Sequence, residues 1–227
     1  MRTKKVTTPK LVFVIGINNA YYVTQKKETI RYVNGKRKQK QVWICPFYRT
    51  WTSMLQRCYY NKLQERCPTY RGYSVSEDWL TFSNFRAWME KQDWQGNQLD
   101  KDLLFDSNKI YSADTCVFVS HAVNSFTTDR GNDRGELKIG VSWHKRESKF
   151  RSSCRNPFTK KVEHLGYFDS EHLAHNAWAK RKLELAYELA AIQTDSRVAE
   201  SLINRYSKYK HNRQNGCYQR TKDLNFD

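Results

Sequence analysis

The chain has 227 residues, and its 40 Lys or Arg against 23 Asp or Glu give a formal net charge of +17 at pH 7. This length accommodates two small domains, and the excess positive charge predicts a polyanionic partner, for which nucleic acid is the leading candidate. No apolar run approaches the roughly 18 residues of a membrane span, and the N-terminus lacks the long apolar region and cleavage site of a secretory signal. We therefore expect a cytoplasmic protein with no membrane partner and no small-molecule substrate.

Positive charge is concentrated at the start of the chain. Residues 1–40 hold eleven Lys or Arg and one Glu, whereas residues 65–136 hold eight Lys or Arg and twelve Asp or Glu. Residues 11–17 and 41–45 are predicted strands, linked by a basic segment in which Asn34-Gly35 is a strong signal for the turn of a hairpin. We expect the basic residues after this turn to contact phosphates without sequence preference.

Two amphipathic helices are predicted after Pro46. Apolar residues at three- and four-residue spacing give the first helix one stripe, made of Trp51, Met54, Leu55, Cys58 and Tyr59. After a turn and a short strand, the inward stripe of the second helix is Trp79, Phe82, Phe85 and Met89. Helical spacing favours a protein core for these side chains, although stacking platforms for single-stranded nucleic acid also use aromatic residues.

The six cysteines show no Cys-x-x-Cys spacing; they stand at positions 45, 58, 67, 116, 154 and 217. In a chain without an export signal this pattern predicts free thiols, most of them buried, and no disulfides. The absence of paired spacing also disfavours a zinc site, whose four candidate ligands are Cys45, Cys58, Cys67 and Cys116.

The segment from residue 99 to residue 126 is predicted to run strand, loop, strand, helix, with Ser120 as the helix cap. It lies in the acidic part of the chain, and carboxylates near DNA repel its phosphates unless a divalent cation lies between them. A strand carboxylate and a helix amide can reach one hard cation, which predicts a Mg²⁺ or Mn²⁺ site. Ordinary solvated acidity is the alternative interpretation.

This segment resembles the ββα-metal motif of HNH endonucleases, and its closing portion, DTCVFVSHAVN, matches the motif best. The resemblance implies that Asp100 and Asn124 are metal ligands. Lys101 stands where the motif has its general-base His; a charged lysine is a poor base at neutral pH but supports negative charge developing on a phosphate. Asp102 or His121 would then activate water. The candidate catalytic residues are Asp100, Lys101, Asp102, Asn108, His121 and Asn124.

The segment from Lys138 to Lys182 is predicted to form three short strands and one helix. Residues 137–163 contain eight Lys or Arg and two Glu. In the middle strand, alternation separates Lys149, Arg151, Ser153 and Arg155 from Phe150, Ser152 and Cys154. A solvated basic surface is the alternative interpretation, but every basic residue of this strand falls on one side, which favours a DNA-binding face. The helix is predicted to begin after a Ser170 cap and to pack through Ala174, Ala177, Trp178, Leu185 and Leu189.

This stretch resembles the plant ethylene-response-factor (Apetala-type) DNA-binding domain over about 45 residues. The matches are Gly140-Val141, Leu165-Gly166, Phe168-Asp169 and Ala174/Ala177, while Phe150 and His164 replace the usual tryptophans. The resemblance implies a three-stranded sheet that lies in the major groove of DNA. The candidate DNA-binding residues are Trp143, His144, Lys145, Lys149, Arg151, Ser153, Arg155, Lys160, Lys161 and His164.

An amphipathic helix and a basic tail are predicted at the end of the chain. The apolar residues of this helix are Val198, Leu202, Ile203 and Tyr206. They either cover the edge of the preceding domain or mediate self-association. The tail is expected to contact the phosphate backbone without sequence preference.

The predicted fold is α+β, with an N-terminal ββα-metal (HNH-like) module and a C-terminal three-stranded antiparallel sheet packed on one helix. The predicted domains are residues 1–130, 131–194 and 195–227. The chain is similar to proteins of tailed bacteriophages described as HNH or homing-type endonucleases, which implies the cytoplasm of a bacterial host. The predicted function is a Mg²⁺- or Mn²⁺-dependent endonuclease that nicks or cuts double-stranded DNA. The alternative is a DNA-binding protein that acts by occupancy, as a regulator or an inhibitor.

Overall fold

The computed structural model describes residues 10–33, 36–128 and 136–215, and the side chains of 10, 33, 36, 37 and 210–215 are outside that description. The fold mixes helices with short sheets, as predicted. Two compact units divide between Phe118 and Val119, which is earlier in the chain than the predicted domain boundary at residue 130. Among the described residues, no helix is both long and apolar enough to cross a membrane.

The first unit begins with two separate pairs of antiparallel strands. Strands β1 (Lys10–Val12) and β2 (Gly16–Asn18) form one pair. Strands β3 (Gln25–Val33) and β4 (Lys36–Ile44) form the other, so the basic segment predicted to link two strands is itself a hairpin. The predicted Asn34-Gly35 turn lies outside the described residues.

Helices and short strands complete the first unit. The helices are α1 (Pro46–Tyr59), α2 (Asn61–Arg66), α3 (Glu77–Leu80) and α4 (Phe82–Met89), with a 3₁₀ turn at Pro68–Tyr70. The strands are β5 (Ser74–Val75), β6 (Gln98–Asp100), β7 (Ile110–Tyr111) and β8 (Val117–Val119). Strand β5 pairs in parallel with β7, and β6 neighbours β8 in a further two-stranded sheet.

The aromatic stripes of α1, α3 and α4 form the core of the first unit, as their helical spacing predicts. Trp51 and Phe85 are fully buried. The indole Nε1 of Trp51 donates a hydrogen bond to the carbonyl of Trp79, at 2.7 Å. Because these rings are enclosed by protein, they do not form a stacking platform for single strands.

In its described residues, the second unit contains a three-stranded antiparallel sheet and three helices. The strands are β9 (Val141–His144), β10 (Lys149–Arg155) and β11 (Val162–Phe168), with β10 in the centre. The helices are α5 (His121–Thr127), α6 (Glu171–Ala191) and α7 (Ser196–Asn215). Helix α6 packs against the sheet, and its predicted cap is confirmed because the Ser170 side chain accepts a hydrogen bond from the Leu173 amide, at 3.2 Å.

Sheet and helix approach closely at Gly140. This residue has a φ of +81°, and a Cβ atom there would lie 2.1 Å from Trp178 Cγ. Helix α7 packs along α6 and buries Val198, Leu202 and Tyr206. Of the two roles considered for this final helix, covering its own domain is therefore the one observed. The basic tail beyond residue 215 lies outside the described residues.

Candidate nucleic-acid interface

One face of the β9–β11 sheet is free of the helix that covers the other. On β10, Lys149, Arg151 and Arg155 are exposed, while Ser152 and Cys154 are buried beneath α6. The alternation predicted for this strand is therefore confirmed. Directly paired residues share a face, so the register extends this surface to both neighbouring strands. We call it the outer face; it consists of Ser142, His144, Lys149, Arg151, Ser153, Arg155, Val162, His164 and Tyr167.

A β-bulge shapes the aromatic part of the outer face. Ser152 pairs with Gly166, but Ser153 pairs with His164, so Leu165 is the extra residue of β11. The shift places His164 and Tyr167 on the same side, with ring centroids 4.7 Å apart, where uninterrupted alternation would place them on opposite sides. Tyr167 also lies 4.9 Å from the ring of His144, which makes a continuous row of three rings.

Arg151 lies at the centre of this surface. Its Nε donates to the Ser142 hydroxyl at 3.2 Å, which orients the guanidinium along the face. Tyr167 is the residue paired with Arg151 on β11, and it is 41% exposed. Sequence analysis missed Ser142 and Tyr167 because their pairing with Arg151 depends on the register between strands.

Trp143 lies on the opposite side of the sheet from the other candidate residues. It pairs with Phe150, and the two rings make an edge-to-face contact with centroids 4.9 Å apart. The expectation that Trp143 faces outward with Arg151 is therefore wrong. The physical reason is that residues directly opposite one another in an antiparallel pair share a face, and Phe150 points away from the outer face.

The loops at the two ends of β10 carry further lysines. Lys145 is exposed in the turn between β9 and β10, and Lys160 and Lys161 are exposed between β10 and β11. The second loop is shaped by Asn156, which is buried and whose Oδ1 accepts hydrogen bonds from the amides of Phe158 and Thr159 at 2.8 and 3.1 Å. This arrangement holds both lysines at one end of the sheet.

The only carboxylate within the three strands is Glu163, and it lies on the side that faces α6. Arg181 of α6 contacts it through two hydrogen bonds of 2.7 and 3.2 Å, and Asn156 Nδ2 adds a third of 2.7 Å. These donors lower the pKa of Glu163 to about 2. Its negative charge is therefore paired behind the sheet and does not oppose a polyanion at the outer face.

The predicted catalytic residues of the first unit lie together in the loop after β6. Asp100 Oδ1 accepts hydrogen bonds from the amides of Asp102 and Leu103, at 2.8 and 2.7 Å. Asn108 Nδ2 donates to the carbonyls of Lys101 and Ile110 at 3.0 and 2.7 Å. The Asn108 amide is thus engaged in holding the loop. Oδ1 of Asp100 is already hydrogen-bonded to two backbone amides.

Lys101 is buried, with only 2% of its surface exposed. Its Nζ donates to the Asp102 carboxylate and to the Asn108 carbonyl, the latter at 2.7 Å, and lies 3.7 Å from the centroid of the Tyr73 ring. This environment satisfies the ammonium inside the protein. The predicted role of Lys101 requires its ammonium to face a phosphate in solvent. A side chain held in this way does not.

The remaining predicted catalytic residues, His121 and Asn124, belong to α5 in the second unit. Helix α5 begins where predicted, since the Ser120 side chain accepts from the Val123 amide at 3.2 Å. The residues expected to share one metal ion therefore come from both units: Asp100, Lys101, Asp102 and Asn108 from the first, and His121 and Asn124 from the second.

The cysteines in the described part of the chain are free thiols, as predicted, and four of these five are buried. Burial raises the pKa of Cys58 and of Cys116 to about 12, so both remain protonated at neutral pH. Within residues 10–33, 36–128 and 136–215, no three His, Cys, Asp or Glu side chains form a group that could hold a metal ion. Cys217 lies outside this range.

Comparison with known proteins adds no relative: no family model, no curated protein and no solved structure matches the chain. Its function is therefore argued from the residues and their geometry.

Proposed function

We propose that this protein binds double-stranded DNA through the outer face of its β9–β11 sheet. The observation that carries the proposal is the separation of charge across this sheet. Exposed Lys149, Arg151 and Arg155 lie on the outer face, whereas Glu163 is paired with Arg181 on the covered side. Lys149 also contacts Asp169, at 3.1 Å, so the two arginines are the outer-face cations on which the proposal depends. Lysine and arginine side chains bind phosphates by releasing condensed counterions, and arginine also reads guanine in the major groove.

The dimensions of the sheet support the same partner. Seven residues of β10 rising about 3.3 Å each span roughly 20 Å, and the major groove of B-DNA admits strands of this kind. Arg151 and Arg155 lie four residues apart on one side of the central strand, where both can contact one groove. The ring row of His144, Tyr167 and His164 provides apolar and hydrogen-bonding contacts beside them.

The test is a binding titration of the full chain with fluorescently labelled duplex DNA. Arg151→Ala and Arg155→Ala should each weaken binding by roughly 1–3 kcal/mol where the guanidinium reaches a base. Arg49→Ala and Arg66→Ala, made separately, each remove one exposed arginine from a helix of the first unit and are the charge-matched controls. Circular dichroism establishes that each variant is folded. Wild-type affinity in both strand variants would overturn the proposal.

A second candidate function is phosphodiester cleavage, and the two-stranded sheet of β6 and β8, followed by helix α5, favours it. The motif that the segment resembles has two strands and then a helix, whereas here the short strand β7 lies between β6 and β8 in the chain. A divalent ion bound at Asp100 would supply Lewis-acid stabilisation of the scissile phosphate. The engagement of Asn108 and the burial of Lys101 favour occupancy without cleavage, and we propose occupancy as the mode of action.

Supercoiled DNA incubated with the protein and Mg²⁺ or Mn²⁺ decides between the two modes. Occupancy predicts intact plasmid with an undiminished gel shift. Nicked or linear product would overturn it if Asp100→Asn removes the activity, because this substitution keeps Oδ1 as an acceptor for the loop amides and removes only the negative charge. Asp100→Ala removes both and serves as the comparison. Sequencing the retained DNA with and without metal reports site preference in the same experiment.

A further inference from the structure

The β3–β4 hairpin is a second basic surface, and it lies in the first unit. We call it the arm; it comprises residues 25–33 and 36–44. Every described side chain is exposed from Lys26 to Tyr32 and from Lys38 to Trp43. A sheet normally covers at least one face with protein, and an isolated two-stranded hairpin is only marginally stable in water. The arm therefore has two faces and two edges available for a partner.

The charge of the arm identifies the class of partner. Its two strands contain seven Lys or Arg and one Glu. Four large apolar side chains interleave with them, since Ile30 is 57% exposed, Tyr32 70%, Val42 45% and Trp43 44%. Nucleic acid carries negative phosphates beside flat base surfaces. Lysine and arginine side chains that alternate with aromatic or apolar ones can contact both of these features.

The shape of the arm fits a groove of duplex DNA. Nine residues per strand, rising about 3.3 Å each, give a length of roughly 30 Å. The pairing shifts between Lys26 and Lys27 and again between Thr29 and Arg31. Such irregularities increase the right-handed twist of a ribbon, and a two-stranded ribbon is narrow enough to enter the major groove.

The base of the arm is fixed to the first unit. The amide of Cys45 donates to the Thr24 carbonyl at 2.8 Å, directly where the two strands join the rest of the chain. Ile44 packs against the aromatic core. The Arg86 guanidinium lies 5.0 Å from the centroid of the Tyr22 ring beside this junction. The direction in which the arm leaves its unit is therefore defined by buried contacts.

We propose that the arm inserts into a groove of double-stranded DNA and forms a contact additional to that of the outer face. The inference shares its duplex partner with the proposed function, and in that respect it rests on it. An anionic membrane surface would also attract lysines, but a 30 Å twisted ribbon with cations along its whole length matches a groove better than a plane. Pairing of two arms would bring like charges together, which opposes self-association.

The test compares two variants of the full chain with the same change in charge. In the arm variant, Lys26, Lys27, Lys38 and Lys40 are each changed to Gln. In the control variant, Lys62, Lys91, Lys109 and Lys180 are changed to Gln; these lysines are exposed and belong to helices and loops outside the hairpin. Binding to a duplex of random sequence is measured by fluorescence anisotropy over a range of salt concentrations.

The slope of log K against log salt reports the number of phosphate contacts, at about 0.9 for each. We expect the slope of the arm variant to be less steep than that of wild type by roughly 2 to 4, and its hydroxyl-radical footprint to be shorter by several base pairs. The control variant should keep the wild-type slope and footprint within experimental error. Equal slopes for the two variants would overturn the inference. It would also be overturned if the DNA slope of the arm variant stays at the wild-type value while the variant loses binding to phosphatidylserine vesicles or loses self-association.

Failure of this inference is distinguishable from failure of the proposed function. If Arg151→Ala and Arg155→Ala bind like wild type while the arm variant loses slope, the arm contact stands and the outer face is not the docking surface. If the strand variants lose affinity and the arm variant behaves like its control, the arm contact is refuted and the outer face stands.

Discussion

Lys182 of α6 makes the stability of the second unit depend on pH. Its side chain is 9% exposed, its Nζ donates to the Phe126 carbonyl at 2.7 Å, and the same Nζ lies 3.5 Å from the centroid of the Phe126 ring. Burial lowers its pKa from 10.5 to about 8. Between these two values the unfolded chain holds a proton that the folded chain has lost. The free energy of unfolding therefore rises with pH in this interval.

The size of the effect follows from the same two pKa values. Relative to pH 7, the stability contributed by Lys182 should increase by roughly 1 kcal/mol at about pH 9 and by roughly 2–3 kcal/mol at about pH 10. Urea unfolding of wild type and Lys182→Met is followed by far-ultraviolet circular dichroism, to which α6 and α7 contribute 21 and 20 residues. Burial raises the pKa of the Cys154 thiol and the charge of Lys182 lowers it, so the difference between the unfolding free energies of the two proteins reports Lys182 together with its coupling to Cys154.

A matched control for this experiment is Lys180→Met. Lys180 belongs to the same helix but is exposed, so its substitution should change stability by the same amount at every pH. The reasoning is refuted if the difference between wild type and Lys182→Met stays constant from about pH 7 to about pH 10. It is also refuted if that difference changes in the opposite direction, with wild type losing stability relative to the variant as pH rises.

Alanine substitutions at two glycines distinguish a steric cause of lost folding stability from a conformational one. Gly140→Ala should lower the free energy of unfolding by roughly 3 kcal/mol or more, because the new Cβ would lie 2.1 Å from the Trp178 ring and φ is +81°. Gly96→Ala has nearly the same backbone cost, with φ at +75°, but meets nothing within 4 Å, so we expect a loss of only about 1–2 kcal/mol. Urea unfolding measures both, and equal losses would contradict the steric explanation.

Features that depend on local spacing could be predicted from the sequence. The stripe of α1 and the alternation of β10 arise from the geometry of a single helix or strand, and both are confirmed. The Ser170 and Ser120 caps are equally local, since each side chain accepts from an amide three residues later. These signals located the helices, the central strand and the cationic part of the outer face.

Features that depend on pairing between distant segments could not be predicted. The bulge at Leu165 is set by the register of β10 and β11, and it alone brings His164 and Tyr167 to one side. Trp143 was placed by its resemblance to a motif, whereas its partner on β10 determines its face. The burial of Lys101 depends on Tyr73, which precedes it by 28 residues and whose ring centroid lies 3.7 Å from its ammonium, with Tyr111 at 5.7 Å.

The charge of the second unit predicts how the proposed association with DNA depends on salt. Arg181 engages acidic groups of α6: its Nη1 lies 3.2 Å from a Glu184 oxygen and 3.4 Å from a Glu188 oxygen, in addition to its contacts with Glu163. On the outer face the charged side chains are Lys149, Arg151 and Arg155, and Lys149 Nζ lies 3.1 Å from an Asp169 oxygen. Helix α7 carries more Lys and Arg than Glu, so the field of a polyanion attracts the unit as a whole. Because this attraction acts over a distance set by ionic strength, it should accelerate association most strongly at low salt, whereas the contacts of Arg151 and Arg155 in the proposed complex should determine how slowly it dissociates.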